Sequence, residues 1–441
     1  MNRRKMIKTK QALLTIALAS ALCAPAQKAH RLSIHDMFGI LDTENRTMKA
    51  SDAAVSTAKK GWESARAQRL PDINTSLSAS YIGNALLTDR DFTNVHGLSS
   101  PHFGNNFALD AQQVIYAGGA IDAGIELAAL GVKQAETQKA VQRQNLRFAA
   151  IGQYLELQKL ANREQVVKSN IALTRRLIAN IEDRQRQGVA LKNDVTRYQL
   201  QLQTLQLQLT KIANYRAIAN HQLCNTLNIS VNDSIVPTND VANGAYEKAG
   251  EDHWQQQAAT SSPLLQLSDL GIDMARKQEK LTRSEMLPKI AVVAHEGFDG
   301  PVTFELPPVN KNLNTWYIGV GVTYSLSSLF KSDKKLHQAR LATQQAVLQK
   351  EVTREQLNNQ VQAAYTEYLQ SFVEHDTERK NVELARENYQ VVNDRYLNQL
   401  ALITDMIDAS NTLLDAQLRE VDAKINIAYN YYKMKYVAGE L

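Results

Sequence analysis

The sequence predicts an internally duplicated α+β membrane protein in which short strand hairpins alternate with very long helical hairpins. Three observations carry that expectation. First, Ser64-Ala-Arg-Ala-Gln-Arg-Leu-Pro-Asp-Ile73 returns as Leu281-Thr-Arg-Ser-Glu-Met-Leu-Pro-Lys-Ile290, 217 residues on from Pro71 to Pro288. Tyr154 and Asp194 find their counterparts, Tyr365 and Asp405, 211 residues later. Second, each Leu-Pro leads into a stretch that alternates apolar and polar residues. Third, each copy then runs for more than sixty residues without a helix breaker. Self-similarity of this kind is read as repeat architecture before any local pattern. The fall in spacing from 217 to 211 makes the first strand region the longer one.

The N-terminus reads as a targeting segment. Arg3, Arg4, Lys5, Lys8 and Lys10 precede an apolar run from Ala12 to Leu22, and Ala24-Pro25-Ala26 supplies a small-x-small cleavage pattern. The run is short of the ~20 residues a spanning helix needs. Residues 1–26 are therefore expected to be a signal peptide, with Leu22 too bulky for lipoprotein processing at Cys23. That segment holds five of the 50 basic residues and none of the 45 acidic ones, so the mature chain carries 45 of each. The neutral balance removes any nucleic-acid footprint. Cys224 then stands alone, which excludes an intrachain disulfide and a cysteine metal site.

The elements follow in order. Residues 27–44 form a lead-in, with Ser33 as N-cap for Ile34 to Leu41. A helix runs from about Asn45 to Arg69, with Met48, Val55, Ala58 and Trp62 at helical spacing, until Pro71 stops it. Within the hairpin at 71–117, Ile73, Thr75, Leu77, Ala79 and Tyr81 alternate with Asn74, Ser76, Ser78 and Ser80. Such alternation suits a strand with lipid on one side and water on the other. A Gly/Asn/Ser-rich loop at about 84–104 precedes a second strand from Phe107 to Tyr116, which Gly118-Gly119 ends.

The long helical hairpin of the first repeat covers 119–225: outward from Ala120 to Arg186, roughly 100 Å, then back from Val189 to Leu223 after the Gln187-Gly188 break. Leu200-Gln-Leu-Gln-Thr-Leu-Gln-Leu-Gln-Leu209 alternates like a strand, but Gln and Leu favour helix and two apolar seams produce the same pattern, so helix is expected. Residues 226–262 are a polar connection with isolated aromatics, Tyr246 and Trp254, expected at the surface or as a small collar. The second repeat, 263–441, has its hairpin at 288–327, with strands Ile290–Phe298 and Trp316–Leu326, and its helical hairpin at 331–437. Tyr81, Tyr116, Trp316 and Tyr324 lie near strand ends, where membrane-interface aromatics belong.

Four strands cannot close on themselves. An open edge in hydrocarbon leaves backbone groups unpaired at several kcal/mol each, so neighbouring chains must complete the wall. Barrels take about eight strands or more, which two or three copies supply. Helices of ~100 Å do not fit a ~30 Å membrane and must project into the aqueous compartment.

At this point the residues carry a resemblance. Arg395-Tyr-Leu-Asn-Gln-Leu-Ala-Leu-Ile-Thr-Asp405-Met-Ile-Asp408-Ala-Ser-Asn-Thr-Leu-Leu-Asp-Ala-Gln resembles the inner helix tip of TolC-family outer-membrane efflux proteins, and Gly188-Val-Ala-Leu-Lys-Asn-Asp194-Val195 resembles the tip motif of that family's first repeat. The Leu-Pro-x-Ile pairs, Tyr116-Ala-Gly-Gly119 and the Ala438-Gly-Glu-Leu441 ending fit as well. The ordered, duplicated set spans essentially the whole mature chain. The resemblance implies a homotrimer with a 12-stranded β-barrel continuous with a long periplasmic 12-helix α-barrel, and an equatorial collar. It implies an outer-membrane exit duct for efflux or type I secretion, joined to an inner-membrane transporter through a periplasmic adaptor protein. It implies no cofactor.

Two candidate sites follow. Asp405 and Asp408 share a helix face one turn apart, and threefold symmetry makes each a ring of carboxylates at a pore constriction, favouring cations. The tips, marked by Gly188, Asp194, Tyr396 and Gln399, are the candidate gate and adaptor-docking surface. Tyr396 and Asp194 match the family's tip-closing links. The family's basic partner is replaced by Ala401 and its second tip glycine by Gln399, which leaves Arg395 and Lys192 as nearby substitutes.

Two other classes fit the sequence less well. An enzyme is disfavoured because the nine histidines show no His-Glu-x-x-His spacing, no Gly-rich phosphate loop opens a helix and no nucleophile motif stands out. A structural or adhesive periplasmic coiled coil would not require four alternating segments with aromatic ends.

Overall fold

The computed structural model describes residues 28–238, 246, 249–305 and 307–441; the expected signal peptide lies outside the described residues. Strand β1 (Ala29–Leu32) leads into α1 (Ile34–Glu44) and α2 (Arg46–Ala67). Strands β2 (Asp72–Tyr81), β3 (Ala85–Leu87), β4 (His96–Leu98) and β5 (Phe103–Tyr116) follow, then helices α3 (Ala120–Arg186) and α4 (Lys192–Leu227). Strand β6 (Ser234–Pro237) and α5 (Glu251–Ser261) lead to the second copy: α6 (Pro263–Ser284), β7 (Lys289–Gly300), β8 (Leu313–Thr323), α7 (Ser328–Leu397) and α8 (Ile403–Val437).

Local chemistry sets the boundaries. Ser33 caps α1: its Oγ accepts the Asp36 N–H at 3.1 Å, and the Asp36 carboxylate accepts the Ser33 N–H at 3.1 Å, a reciprocal capping box. The turn from β5 into α3 uses Gly118 and Gly119 at φ +64° and +84°. A Cβ on Gly118 would lie 2.7 Å from Leu287 Cβ and 2.9 Å from the Ser284 carbonyl oxygen, so only glycine fits there.

The chain divides into two compact units. One comprises residues 51–140 and 263–355. Its centre is a four-stranded sheet in the order β2-β5-β7-β8, every neighbouring pair antiparallel. Ladder pairs such as Leu77↔Phe107↔Phe298 and Ala111↔Ala294↔Ile318 put apolar residues of all four strands on one face. Ile73, Leu77 and Tyr81 on β2 and Trp316, Ile318, Val320 and Val322 on β8 are exposed, each by more than 60% of its surface. The opposite face carries Asn74, Ser76, Ser78, Asp110, His295 and Thr315, which the period of two dictates. Among the described residues the edges β2 and β8 have one strand neighbour each. Around this sheet, Lys59–Glu136, Lys277–Glu126 and Lys350–Asp269 pair the flanking helices at 3.1, 2.9 and 2.6 Å, half-exposed contacts of modest energy.

The other unit comprises residues up to 50, 141–262 and 356–441. Its main core gathers Met37, Leu41, Met48, Ile151, Tyr154, Leu223 and Ile235, all 1% exposed or less. Strand β1 pairs in parallel with β6, Ala29 opposite Ser234. The buried Tyr154 hydroxyl joins that pair to α3, donating to the Leu32 carbonyl at 2.8 Å and accepting the Thr238 N–H at 2.9 Å. Arg163 to Asp422 at 2.9 Å and Asn170 to Gln417 at 3.1 Å fix the register of α3 against α8.

Both long helical hairpins form as the sequence predicts, with α3 and α8 ending on the expected residues and Leu200–Leu209 helical. Four expectations are corrected. The lead-in contains a strand, because residues 29–32 find a partner about 200 positions away. The loop at 84–104 contains the hairpin β3–β4, and β8 begins at Leu313 and ends at Thr323 rather than at Leu326. Trp254 is fully buried on α5, so the connection contributes to a core as well as to the surface.

Candidate functional site

The two tips lie in one unit and are built alike. At the first, Gly188 has φ +78°, the Gly188 N–H donates to the Gln185 carbonyl at 2.9 Å and the Val189 N–H to the Arg184 carbonyl at 3.0 Å. At the second, Gln399 has φ +63°, its N–H donates to the Tyr396 carbonyl at 3.0 Å and the Leu400 N–H to the Arg395 carbonyl at 2.7 Å. This is the left-handed C-cap that satisfies the last carbonyls of a helix. The returning helices start alike too. Asp194 Oδ2 accepts the Leu191 N–H at 3.2 Å, and Asp405 Oδ2 accepts the Leu402 N–H at 3.0 Å. A carboxylate at that position also faces the positive end of the helix dipole.

Beneath the turns, Ile181, Val195, Tyr198, Ile403 and Met406 form a buried cluster, flanked by Tyr389 and Tyr396. Burial pushes the Tyr198 phenol well above its ordinary range, with Tyr389 and Tyr396 nearby adding to the shift. The Tyr198 hydroxyl has no hydrogen-bond partner among the described residues. Tyr396 is also raised, first by burial, then by the Asp194 charge, while Arg184 opposes.

An arginine of the first hairpin, Arg184, reaches the second tip. Arg184 Nη1 donates to the Leu397 carbonyl at 3.0 Å, and its guanidinium carbon stands 5.7 Å from the Tyr396 ring centroid. One arginine of the first hairpin thus binds the C-terminal end of α7, where unpaired carbonyls favour a cation. The arrangement depends on two hairpins meeting, which neither local sequence reveals. Its only sequence signal is the repeat, since Arg184 and Arg395 are equivalent positions.

Gly188 is the turn glycine next to a cleft of about 430 Å³ whose lining includes Arg184, Asp194, Tyr396, Gln399 and Thr404. Asp405 and Asp408 are outside that lining, exposed and one turn apart on α8. Asp405 is occupied with capping, whereas the Asp408 carboxylate has no hydrogen bond or ion pair among the described residues. In the other unit, the registers place Tyr81, Tyr116 and Trp316 on the apolar face of the sheet, and Tyr324 follows Val322 in the same phase. Tyr81 and Trp316 stand near the far ends of the edge strands, Tyr116 and Tyr324 near the helices. Among the described residues no helix is long and apolar enough to cross a membrane, and no group of three or more His, Cys, Asp or Glu is placed to hold a metal.

A sheet with one apolar outer face and two open edges, joined to helical hairpins of about seventy residues outward, defines the outer-membrane channel class. The chain belongs to the outer membrane efflux protein family, whose model matches residues 41–228 and 254–439. It is an outer-membrane protein. Solved structures agree in fold. The outer membrane protein VceC of Vibrio cholerae matches with 15% identity over 92% of this chain and 96% of its own, at a TM-score of 0.73. The CmeC outer membrane channel of Campylobacter jejuni matches with 14% identity over 92% and 85%, at 0.73. The open state of the MtrE channel of Neisseria gonorrhoeae matches with 15% identity over 92% and 88%, at 0.69. No curated protein sequence matches the chain.

Proposed function

We propose that three copies of this chain form the exit duct of a tripartite efflux or type I secretion system, docked through its tips to a periplasmic adaptor and an inner-membrane transporter. The observation that carries this reading is the four-stranded sheet with an exposed apolar face and two edges, β2 and β8, that each have a single neighbour. An even number of alternating strands lets β8 of one copy meet β2 of the next antiparallel, so identical copies close without a parallel seam. Three copies give a 12-stranded barrel, with the four aromatics near its two interfaces.

The helical unit supports the same assembly. On α4, Leu200, Leu207, Tyr215 and Ile218 form one exposed stripe, and on α7, Leu369, Val373, Leu384 and Val391 form another. Heptad-like seams of this kind are buried by a neighbouring helix, and two different stripes suit a heterologous ring. In such a ring Asp408, with Asp405 beside it, lines the constriction. The tip cleft with Gly188, Asp194, Tyr396 and Gln399 is the gate and the adaptor contact, and the collar is equatorial. The duct performs no catalytic step and carries no cofactor.

Single-channel recording in planar bilayers tests the reading. The purified protein is expected to conduct, and polyvalent cations are expected to block the current until Asp405 and Asp408 are both replaced by Ala. Heat-modifiable migration of a detergent-extracted trimer tests the barrel. A stable monomer that needs no detergent refutes the duct.

A further inference from the structure

Where β7 and β8 meet the helices, the polar face of the sheet ends in a basic cleft that the duct reading does not use. Its volume is about 330 Å³. Its lining brings together Lys289 and Thr323 from the sheet, Lys331, Ser332 and Lys335 from α7, and Glu285 from the turn after α6. Lys289 and Thr323 are direct partners across β7 and β8, and the period of two puts both on the polar face. On α7, Lys331 and Lys335 are one turn apart, with Ser332 between them on the same side.

Two features point to a ligand. The first is charge: three lysines against one carboxylate leave 3 − 1 = +2. Lys335 Nζ pairs with Glu285 at 2.9 Å, while Lys289 and Lys331 have no ion pair among the described residues. The second is Ser332, which lines the cleft, is 3% exposed and has no side-chain hydrogen bond among the described residues. Its neighbours are engaged: Ser328 Oγ donates to the Ser325 carbonyl at 2.6 Å, and the Ser325 and Ser327 hydroxyls stand 3.0 Å apart. A buried hydroxyl without a partner is costly, and a ligand oxygen in the cleft would accept from it.

The repeat shows that the scaffold does not need these residues. Offsets of 211 and 217 place Ala120, Ile121, Gly124 and Asp72 where the second copy has Lys331, Ser332, Lys335 and Lys289. The first junction forms β2 and α3 without any of the four.

We propose that this cleft binds a phosphate group, with Lys289 and Lys331 meeting its charge and Ser332 Oγ donating to one of its oxygens. Lysine binds phosphate as a point charge, and a phosphate monoester carries about −1.5 to −2 at pH 7, which matches the cleft. The first turn of α7 adds the positive end of a helix dipole. Small-ligand sites start at about 300 Å³, so the cleft has room for the phosphate and part of its carrier. The binding does not rest on the duct reading. On that reading the polar face lines the aqueous interior, and the carrier is a water-borne anion rather than a lipid.

Isothermal titration of the delipidated, detergent-solubilised chain with inorganic phosphate tests the site. One saturable site per chain is expected. Lys289→Gln combined with Lys331→Gln should weaken it at least about tenfold, and Ser332→Ala about tenfold. The serine substitution is the sharper probe, because it leaves the net charge untouched. Glu285→Gln removes the competing carboxylate and should tighten binding severalfold. Wild-type protein without saturable phosphate binding overturns the proposal. So does an affinity that Ser332→Ala leaves unchanged, which would mark diffuse attraction to the lysines alone. If the double lysine variant does not assemble, Ser332→Ala decides. Reconstitution into vesicles containing phosphatidylglycerol separates the sources of phosphate: lost binding assigns the site to a lipid headgroup, retained binding to a soluble anion. Conductance without phosphate binding rejects the site and leaves the duct standing.

Discussion

The two tips share a backbone and differ in side chains. Gly188 and Gln399 occupy the same left-handed turn, and Asp194 and Asp405 make the same cap. Four pairs of equivalent positions then diverge. Asp408 stands where the first repeat has Arg197. Arg184 bridges to the second hairpin, while the Arg395 side chain has no hydrogen bond or ion pair among the described residues. Farther along, Glu164 on α3 accepts from Lys168 at 2.5 Å and from Arg216 at 2.8 Å, whereas His375 and the buried Ile427 occupy the equivalent positions in the second hairpin. The scaffold is thus duplicated, and the chemistry is assigned to one copy at a time.

The largest contrast is expected at the third position beyond the cap. If three copies form the proposed duct, Asp408→Ala should reduce polyvalent-cation block in planar bilayers by an order of magnitude or more, because a threefold ring of charge would be lost. Arg197→Ala should leave the block unchanged. Equal effects on both would place the constriction elsewhere.

Next in size are the turns. Gly188 has open space where a Cβ would go, so Gly188→Ala is expected to cost only the left-handed backbone penalty, about 1–2 kcal/mol. Gln399→Gly is expected to act in the opposite direction, stabilising by up to about 1 kcal/mol after the flexibility of the unfolded chain is counted. Denaturant unfolding of the two variants compares them directly.

The caps should behave equally. Asp194→Ala and Asp405→Ala are each expected to cost about 1 kcal/mol, with a difference between them reporting whatever Asp405 does beyond capping.

The smallest effect is a pH dependence at Glu164 in the first hairpin. Lys168 and then Arg216 hold the Glu164 carboxyl below its ordinary value, against the opposing effect of burial. A lowered folded pKa contributes stability above the unfolded value, near 4.3, and that contribution disappears as pH falls through the folded value. Glu164→Gln should therefore lower the melting temperature at pH 7, and its gap from the wild type should narrow as the pH falls below the unfolded value and on through the folded one. A gap that persists in acid would point to packing rather than charge.

Most of the scaffold was legible because its signals are local. Pro71 and Pro288 stop helices by lacking a donor, Gly118 and Gly188 permit positive φ, and Ser33 and Asp36 cap by side-chain reach alone. The doubled Leu pattern at Leu200–Leu209 resolved as helix because Leu205 is buried while Leu200 and Leu207 stay on an exposed stripe. The candidate site was legible in part. Asp194, Tyr396 and Gln399 are brought together at the tip cleft, but Arg184 was passed over, since nothing near it in sequence names the Leu397 carbonyl.

The amino-acid order alone therefore determined the repeat, the order of the long helices and the two-faced strands, because periodicity and backbone restriction act within a few residues. Tertiary structure decided which distant segments meet: β1 beside β6, Trp254 inside a core and Arg184 on the end of α7. Those encounters depend on register and packing across hundreds of residues, and no short pattern encodes them.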